Sequence, residues 1–94
     1  MLDKFKQLME IKKQAERIKK ELDGIVLDVE DVRGIKLNVT ASQHFKSIEI
    51  EEGLLRPENK HKLESDILRS MNAAMKKAQA TAAQKMASVM PGLS

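Results

Sequence analysis

The sequence predicts a small α+β protein in which a helix, a three-stranded antiparallel sheet and a long second helix follow one another (αβββα). Apolar residues recur every three or four positions before residue 24 and again after residue 56, which is helical spacing. Between residues 25 and 51 they alternate with polar residues, which is strand spacing. The strands lie too close together in the sequence for parallel crossovers, so the sheet is predicted to be antiparallel.

A chain of 94 residues is expected to form one domain, residues 1–94. Domains of this size bury only roughly 60% of the surface that the unfolded chain exposes. The core must consist mainly of aliphatic side chains and methionine, because the chain has no Cys, Trp or Tyr and only 2 Phe. Disulfides cannot stabilise it, so we expect association with a further chain to supply stability.

The first helix is predicted over residues 3–23, with Asp3 as its N-cap and Gly24 as the residue that ends it. Alternating spacings of three and four residues form one apolar stripe, which consists of Leu8, Ile11, Ala15, Ile18 and Leu22. At about 100° per residue, four basic side chains fall on the opposite face. They are Lys6, Lys13, Arg17 and Lys20.

Three strands are predicted in the middle of the chain, over residues 25–32, 34–40 and 45–51. Hairpins are expected to turn near Arg33-Gly34 and across residues 41–44. Phe45 is out of phase with Ile48, which predicts a β-bulge in the third strand. One face of the sheet is apolar, and we expect both helices to cover it.

The second helix is predicted over residues 57–90, because Pro57 suits the first position of a helix and nothing interrupts the apolar pattern before Pro91. Such a helix spans about 48 Å, whereas a six-residue strand covers about 20 Å. Its alanine-rich second half, residues 73–87, is therefore expected to project or to pack against another chain. The side chains predicted at a dimer interface are Met71, Ala74, Met75, Ala78 and Ala82.

The charges are unevenly distributed, since residues 1–24 carry +2, residues 25–56 carry −2 and residues 57–94 carry +3. No acidic residue follows Asp66, so the end of the second helix carries an uncompensated positive field. Its basic residues are Arg69, Lys76, Lys77 and Lys85. A polyanion is the expected partner, although Lys77 and Lys85 lie near the apolar stripe, where covering an interface is an alternative role.

Catalysis is not expected from this sequence. His44 and His61 are isolated from each other and from any nucleophile with a matching acid, and the glycines are too dispersed for a phosphate-binding loop. We therefore predict a protein that is not an enzyme and has no metal, cofactor or small-molecule substrate. No stretch approaches the roughly 18 apolar residues of a membrane span, and the N-terminus lacks an apolar signal segment, which predicts a soluble, cytoplasmic protein.

Two main functions and a weaker third remain open from the residues alone. The chain lacks aromatic side chains placed for base stacking, which argues against binding of single strands. Helical lysine and arginine favour contacts to the backbone of a duplex, with little readout of base sequence. The alternative is a helical protein–protein interaction module, favoured by the apolar end of the second helix at Val89 and Met90. A helix lying on a membrane surface is a third hypothesis, opposed by the acidic residues of the first helix.

The chain also contains several characteristic sequence segments. The most specific runs from Asn72-Ala73-Ala74 to Ala78, and the others are Lys46–Glu51, Leu54-Leu55, Leu63–Ile67, the ending from Met86 to Leu93, and the stretch from Leu8 to Leu22. Over nearly its whole length the chain resembles the bacterial YbaB/EbfC family of nucleoid-associated proteins.

The resemblance implies a tweezer-like homodimer whose helices project from a central pair of sheets. It also implies binding to double-stranded DNA in the nucleoid, with a role in nucleoid organisation or gene regulation, and the eight basic residues named on the two helices are the predicted DNA contacts. The chain departs from the family pattern at residues 31–34, where members carry a glycine-rich stretch, and at residues 40–44, where they carry an Asn-Gly-type turn. We expect these hairpins to be stiffer or differently turned.

Overall fold

The computed structural model describes residues 2–89 and confirms the αβββα order. The helices and strands are α1 (Leu2–Asp23), β1 (Val26–Val32), β2 (Ile35–Thr40), β3 (Phe45–Ile50) and α2 (Lys60–Val89). The sheet is antiparallel throughout, with β2 between β1 and β3. Residue 90, where the second helix is predicted to end, lies outside the described residues.

The helix starts differ from the predictions, whereas the end of α1 matches them. Helix α1 begins at Leu2, so Asp3 lies inside its first turn and is not the N-cap; its carboxylate there is favourable to the helix dipole. Pro57 begins a 3₁₀ turn that leads into α2 at Lys60. Gly24 follows α1 as predicted, and its N–H donates to the carbonyl oxygens of Lys20 (3.2 Å) and Glu21 (3.1 Å).

The first hairpin turns at Arg33-Gly34, as predicted. Gly34 has a φ of +93°, and a Cβ at this position would lie 2.8 Å from Cδ1 of Leu54. The turn therefore requires glycine for its backbone conformation and for the close approach of Leu54.

The second hairpin carries the predicted bulge. Val39 pairs with Phe45 and Asn38 with Ser47, so Lys46 is the extra residue on β3. The connecting turn, residues 41–44, is closed by a hydrogen bond in which the N–H of Thr40 donates to the carbonyl oxygen of His44 (2.8 Å).

The core lies between α2 and the strands β1 and β2. Its buried side chains are Val29, Leu37 and Val39 from the sheet and Ala74 and Ala78 from the helix. Small side chains on the facing side of α2 let the helix backbone come close to the sheet. This core is thin because two of its five members are alanine.

The prediction that both helices cover the sheet is wrong for α1. None of its residues is buried, and Leu8 and Ile11 are 66% and 60% exposed. Helix α2 already occupies the apolar face over β1 and β2, and α1 instead continues away from the sheet. The protomer therefore measures 65 × 20 × 19 Å, which exceeds the length of about 45 Å for α2 alone.

Candidate nucleic-acid interface

Helix α1 carries an exposed row of basic side chains, which we call the α1 basic face: Lys6, Lys13, Arg17 and Lys20. Lys6, Lys13 and Lys20 recur every seven residues, so they follow one another along the helix at intervals of about 10 Å. Among the described residues, none of the four has a carboxylate within 4.0 Å. Their charges are therefore available to an external anion.

The four predicted cations of α2 fall into two groups. Lys76 and Lys77 are exposed and, within residues 2–89, have no ion-pair partner. Nε of Arg69 donates to Oδ2 of Asp31 (2.9 Å). Because the Arg69 side chain remains 70% exposed, this pair does not remove the guanidinium from solvent.

Lys85 occupies a different environment from the other cations. Its Nζ lies 3.6 Å from Oε2 of Glu21 on α1, and both side chains are partly exposed. This ion pair lies where the C-terminal part of α1 passes α2, and Ile18 and Leu22 are half-buried in the same part of α1. Lys85 therefore bridges the two helices.

A groove of about 610 Å³ lies between the exposed side of α2 and the edge strand β1. Its lining residues are Asp31, Ser65, Leu68, Arg69, Asn72, Ala73 and Lys76. Arg69, Asn72 and Lys76 are hydrogen-bond donors that suit phosphate oxygens. Asn72 was not among the predicted site residues, although its spacing of three residues from Arg69 and four from Lys76 places it on the same helix face.

An apolar surface lies on the opposite side of α2, where the helix leaves β3 uncovered. Phe45, Ile48 and Met71 are 38%, 48% and 39% exposed and line an open hollow of about 380 Å³ above Leu37. We call these three residues the apolar β3 surface. The sequence pattern placed Ile48 on the sheet's apolar face but did not show that α2 covers only β1 and β2.

The predicted dimer-interface residues are divided by this arrangement. Ala74 and Ala78 are fully buried against the sheet of their own protomer, so a partner cannot reach them. Met71 is exposed beside β3, and Met75 and Ala82 are half-buried. Of the five predicted residues, Met71, Met75 and Ala82 therefore remain accessible, and Met71 belongs to the apolar β3 surface.

The outer face of the sheet is mainly acidic. Glu30, Glu49 and Glu51 surround Lys36 on this face, and Asp28 accepts a hydrogen bond from Nδ2 of Asn38 (2.6 Å). Excess negative charge makes this face unfavourable for phosphate. No group of three or more metal-ligating side chains with metal-site geometry occurs within residues 2–89.

A sheet with a mainly acidic outer face and two helices that carry exposed cations define a basic α+β protein suited to holding a polyanion. The chain belongs to the YbaB/EbfC DNA-binding family, whose sequence model matches residues 1–93. The family is characterised by DNA binding rather than by catalysis. In the part of the chain that the structure describes, neither helix has the length and apolarity needed to cross a membrane.

Curated relatives carry related names. A nucleoid-associated protein of Flavobacterium johnsoniae is 36% identical over 73 residues, which cover 77% of this chain and 67% of the relative. A nucleoid-associated protein of Afipia carboxidovorans is 26% identical over 96 aligned positions, which cover 99% of this chain and 90% of the relative. The sequence resemblance to the family is thereby confirmed.

Proposed function

We propose that this protein binds double-stranded DNA as a homodimer, through phosphate contacts from both helices, and acts in nucleoid organisation or gene regulation. The observation that carries the proposal is that six of the eight predicted contacts are exposed and have no carboxylate partner among the described residues. They are Lys6, Lys13, Arg17, Lys20, Lys76 and Lys77. Family membership and the names of the relatives support DNA as the polyanion and the nucleoid as its location.

The proposed contacts hold DNA more than they read its sequence. Lysine is a point charge on a flexible stem, and the α1 basic face offers three lysines and one arginine. Phosphate contacts fix position along a duplex but carry no base information. Affinity is therefore expected to differ little between unrelated duplexes.

The homodimer is proposed on two grounds. The core of one protomer is thin, and the apolar β3 surface leaves large side chains in contact with water. Pairing this surface with its copy around a two-fold axis would bury Phe45, Ile48 and Met71 and double every basic face. The second helix contributes Met75 and Ala82 to the same contact.

Titration of the protein against two unrelated duplexes at several salt concentrations tests the DNA proposal. If about 4 to 8 phosphates are neutralised per dimer, log affinity falls with log salt at a slope of roughly −4 to −7. Similar slopes and affinities for both duplexes are expected. An affinity that does not depend on salt would contradict the proposed phosphate contacts.

The substitution Ile48→Glu tests the dimer surface, because it places a carboxylate within the proposed apolar contact. We expect the dimer dissociation constant, measured by analytical ultracentrifugation, to rise about 100-fold or more. Lys36→Glu, which places a carboxylate on the outer face of the sheet, is the matched control and should leave the dimer intact. Equal behaviour of the two variants would place the interface elsewhere.

A protein–protein interaction module is the second candidate, favoured by the exposed stripe of α1. Leu8 and Ile11 are more than half exposed, in the part of α1 that no other described residue covers. Met90, which also favoured this hypothesis, lies outside the described residues. Absence of DNA binding by the unmodified protein at low salt would favour this candidate over the first.

A further inference from the structure

Helix α1 is tied to the second hairpin by a cluster of polar side chains, which we call the clasp: Asp23, Thr40, Ser42 and His44. Oγ of Ser42 donates to Oδ1 of Asp23, the last residue of α1. The hydroxyl oxygens of Ser42 and Thr40 lie 2.8 Å apart, and Nδ1 of His44 lies 3.3 Å from Oγ of Ser42. The clasp therefore joins two segments that are 19 residues apart in sequence.

The protons in the clasp can be assigned from donor and acceptor types. The Asp23 carboxylate only accepts, so the single proton of the Ser42 hydroxyl points to Asp23. Thr40 accepts the backbone N–H of His44 (3.0 Å), which leaves its own hydroxyl proton for Ser42. Each hydroxyl thus has both a donor and an acceptor role, and the Ser42–Asp23 bond is assisted by the carboxylate charge.

The hairpin side of the clasp is firmly held. Thr40 is only 4% exposed, and the neighbouring Ala41 donates its N–H to the carbonyl oxygen of Ile25 (2.9 Å). The turn is also closed by a hydrogen bond from the N–H of Gln43 to the carbonyl oxygen of Thr40 (2.9 Å). Ser42 is therefore a fixed point to which the end of α1 is attached.

Helix α1 has few other attachments. It has no buried residue, and Ile18 and Leu22 are only half-buried beside α2. The ion pair between Glu21 and Lys85 is partly exposed, so solvent weakens it. Gly24, which follows directly, has no Cβ, so its backbone can adopt more conformations than that of other residues. A helix of 22 residues is about 33 Å long, so a tilt of about 10° at its base moves its tip by about 6 Å. That displacement is about the width of the DNA minor groove.

We propose that Asp23 and Ser42 are positioning residues, which fix the direction of α1 and thereby the placement of the α1 basic face on DNA. The inference rests on the proposed DNA binding and adds a function to two residues outside the basic faces. Neither residue touches DNA. They order the helix before it binds DNA. The binding free energy then does not have to offset the conformational entropy lost on ordering the helix.

The charge of Asp23 supports this role. A carboxylate in the last turn of a helix opposes the helix dipole, so replacing it should by itself slightly favour the helix. The clasp predicts that the same replacement leaves the direction of α1 less well defined, because it removes the hydrogen bond to Ser42. Asp23→Ala therefore separates helix formation from helix positioning.

Spin-label distance measurements test the positioning directly. The chain has no cysteine, so nitroxides can be attached at Gln7→Cys on α1 and Glu49→Cys on β3, with excess unlabelled protein added to dilute any contacts between protomers. We expect Ser42→Ala and Asp23→Ala each to broaden the distance distribution about twofold. Ser42→Thr, which keeps a hydroxyl, should restore the narrow distribution, and Ser47→Ala on β3 is the matched control.

DNA binding gives a second readout that distinguishes positioning from contact. Ser42→Ala should weaken affinity about 3- to 10-fold at every salt concentration and leave the salt slope unchanged, because the number of phosphate contacts is the same. The double variant Asp23→Ala/Ser42→Ala should bind no more weakly than Ser42→Ala alone, since that variant has already lost the Ser42–Asp23 hydrogen bond.

The two readouts separate the possible failures. An unchanged distance distribution in both Ser42→Ala and Asp23→Ala would overturn the clasp, whatever the DNA result. A broadened distribution without loss of DNA affinity would overturn the link between helix direction and binding. Absence of DNA binding by the unmodified protein would instead refute the proposed function, and the distance measurement would still report on the clasp.

Discussion

The two helices have similar charge and amphipathic patterns but different environments. Helix α2 places Ala74 and Ala78 in the core, whereas α1 has no buried residue. One helix therefore contributes both to stability and to the proposed DNA surface, and the other mainly to the surface. The difference predicts that stability and DNA binding can be changed separately in this protein.

The side chains facing the sheet explain which helix packs there. Ser70, Ala74 and Ala78 follow one another at four-residue spacing on α2, and their small size permits close contact with β1 and β2. The hydroxyl of Ser70 is satisfied within the helix, because it donates to the carbonyl oxygen of Asp66 (2.8 Å). The stripe of α1 consists mostly of Leu and Ile, and it extends beyond the sheet that could cover it.

The largest effect is expected from reversing the α1 basic face. Replacement of Lys6, Lys13, Arg17 and Lys20 by Glu should lower DNA affinity about 1,000-fold or more, because each site changes from attracting phosphate to repelling it. Fluorescence anisotropy with a labelled duplex measures the loss. The free energy of unfolding should change little, since α1 is exposed. Retained DNA affinity would indicate that α2, and not α1, binds the DNA.

Truncation of a core side chain should change the free energy of unfolding more than the DNA affinity. Leu37→Ala is expected to lower the free energy of unfolding by about 2 to 5 kcal/mol, because Leu37 is only 2% exposed within the core. Leu8→Ala on α1 is the matched variant and should cost less than about 0.5 kcal/mol. Urea denaturation at one fixed protein concentration compares them. Equal losses would show that α1 is covered in solution, as by a second chain.

Gly34→Ala should destabilise the sheet without altering DNA contacts. The positive φ and the close approach of Leu54 predict a loss of about 1 to 3 kcal/mol in the free energy of unfolding. The salt slope of DNA binding should stay the same. Gly53→Ala is the control, because a Cβ there meets no atom within 4 Å. Comparable losses at both glycines would contradict the assigned strain.

The smallest effects distinguish a lysine that contacts DNA from a lysine that bridges the two helices. Lys13→Ala should reduce the salt slope by about 1 for each phosphate contact removed, so by about 2 per dimer. Lys85→Ala should leave the slope nearly unchanged, because Lys85 pairs with Glu21. Binding titrations between low and moderate salt compare the two variants. A larger change in slope for Lys85→Ala than for Lys13→Ala would indicate that Lys85 contacts DNA.

Local patterns predicted much of the fold. The turn at Arg33-Gly34 and the bulge at Lys46 followed from residue types and from the phase of Phe45. The position of α1 did not, since periodicity identifies an apolar face but not what covers it. The pairs Asp31–Arg69 and Asp23–Ser42 were also missed, because they join residues 38 and 19 positions apart and depend on the finished fold.

Amide NMR spectra recorded with and without a short duplex report which part of the protein binds DNA. If the helices hold the DNA and the sheet supports them, the largest shifts occur at the α1 basic face and at Lys76 and Lys77. The outer face of the sheet, including Asp28 and Lys36, should be unaffected. If the largest shifts occurred on that face and α1 were unperturbed, DNA binding by the helices would be contradicted.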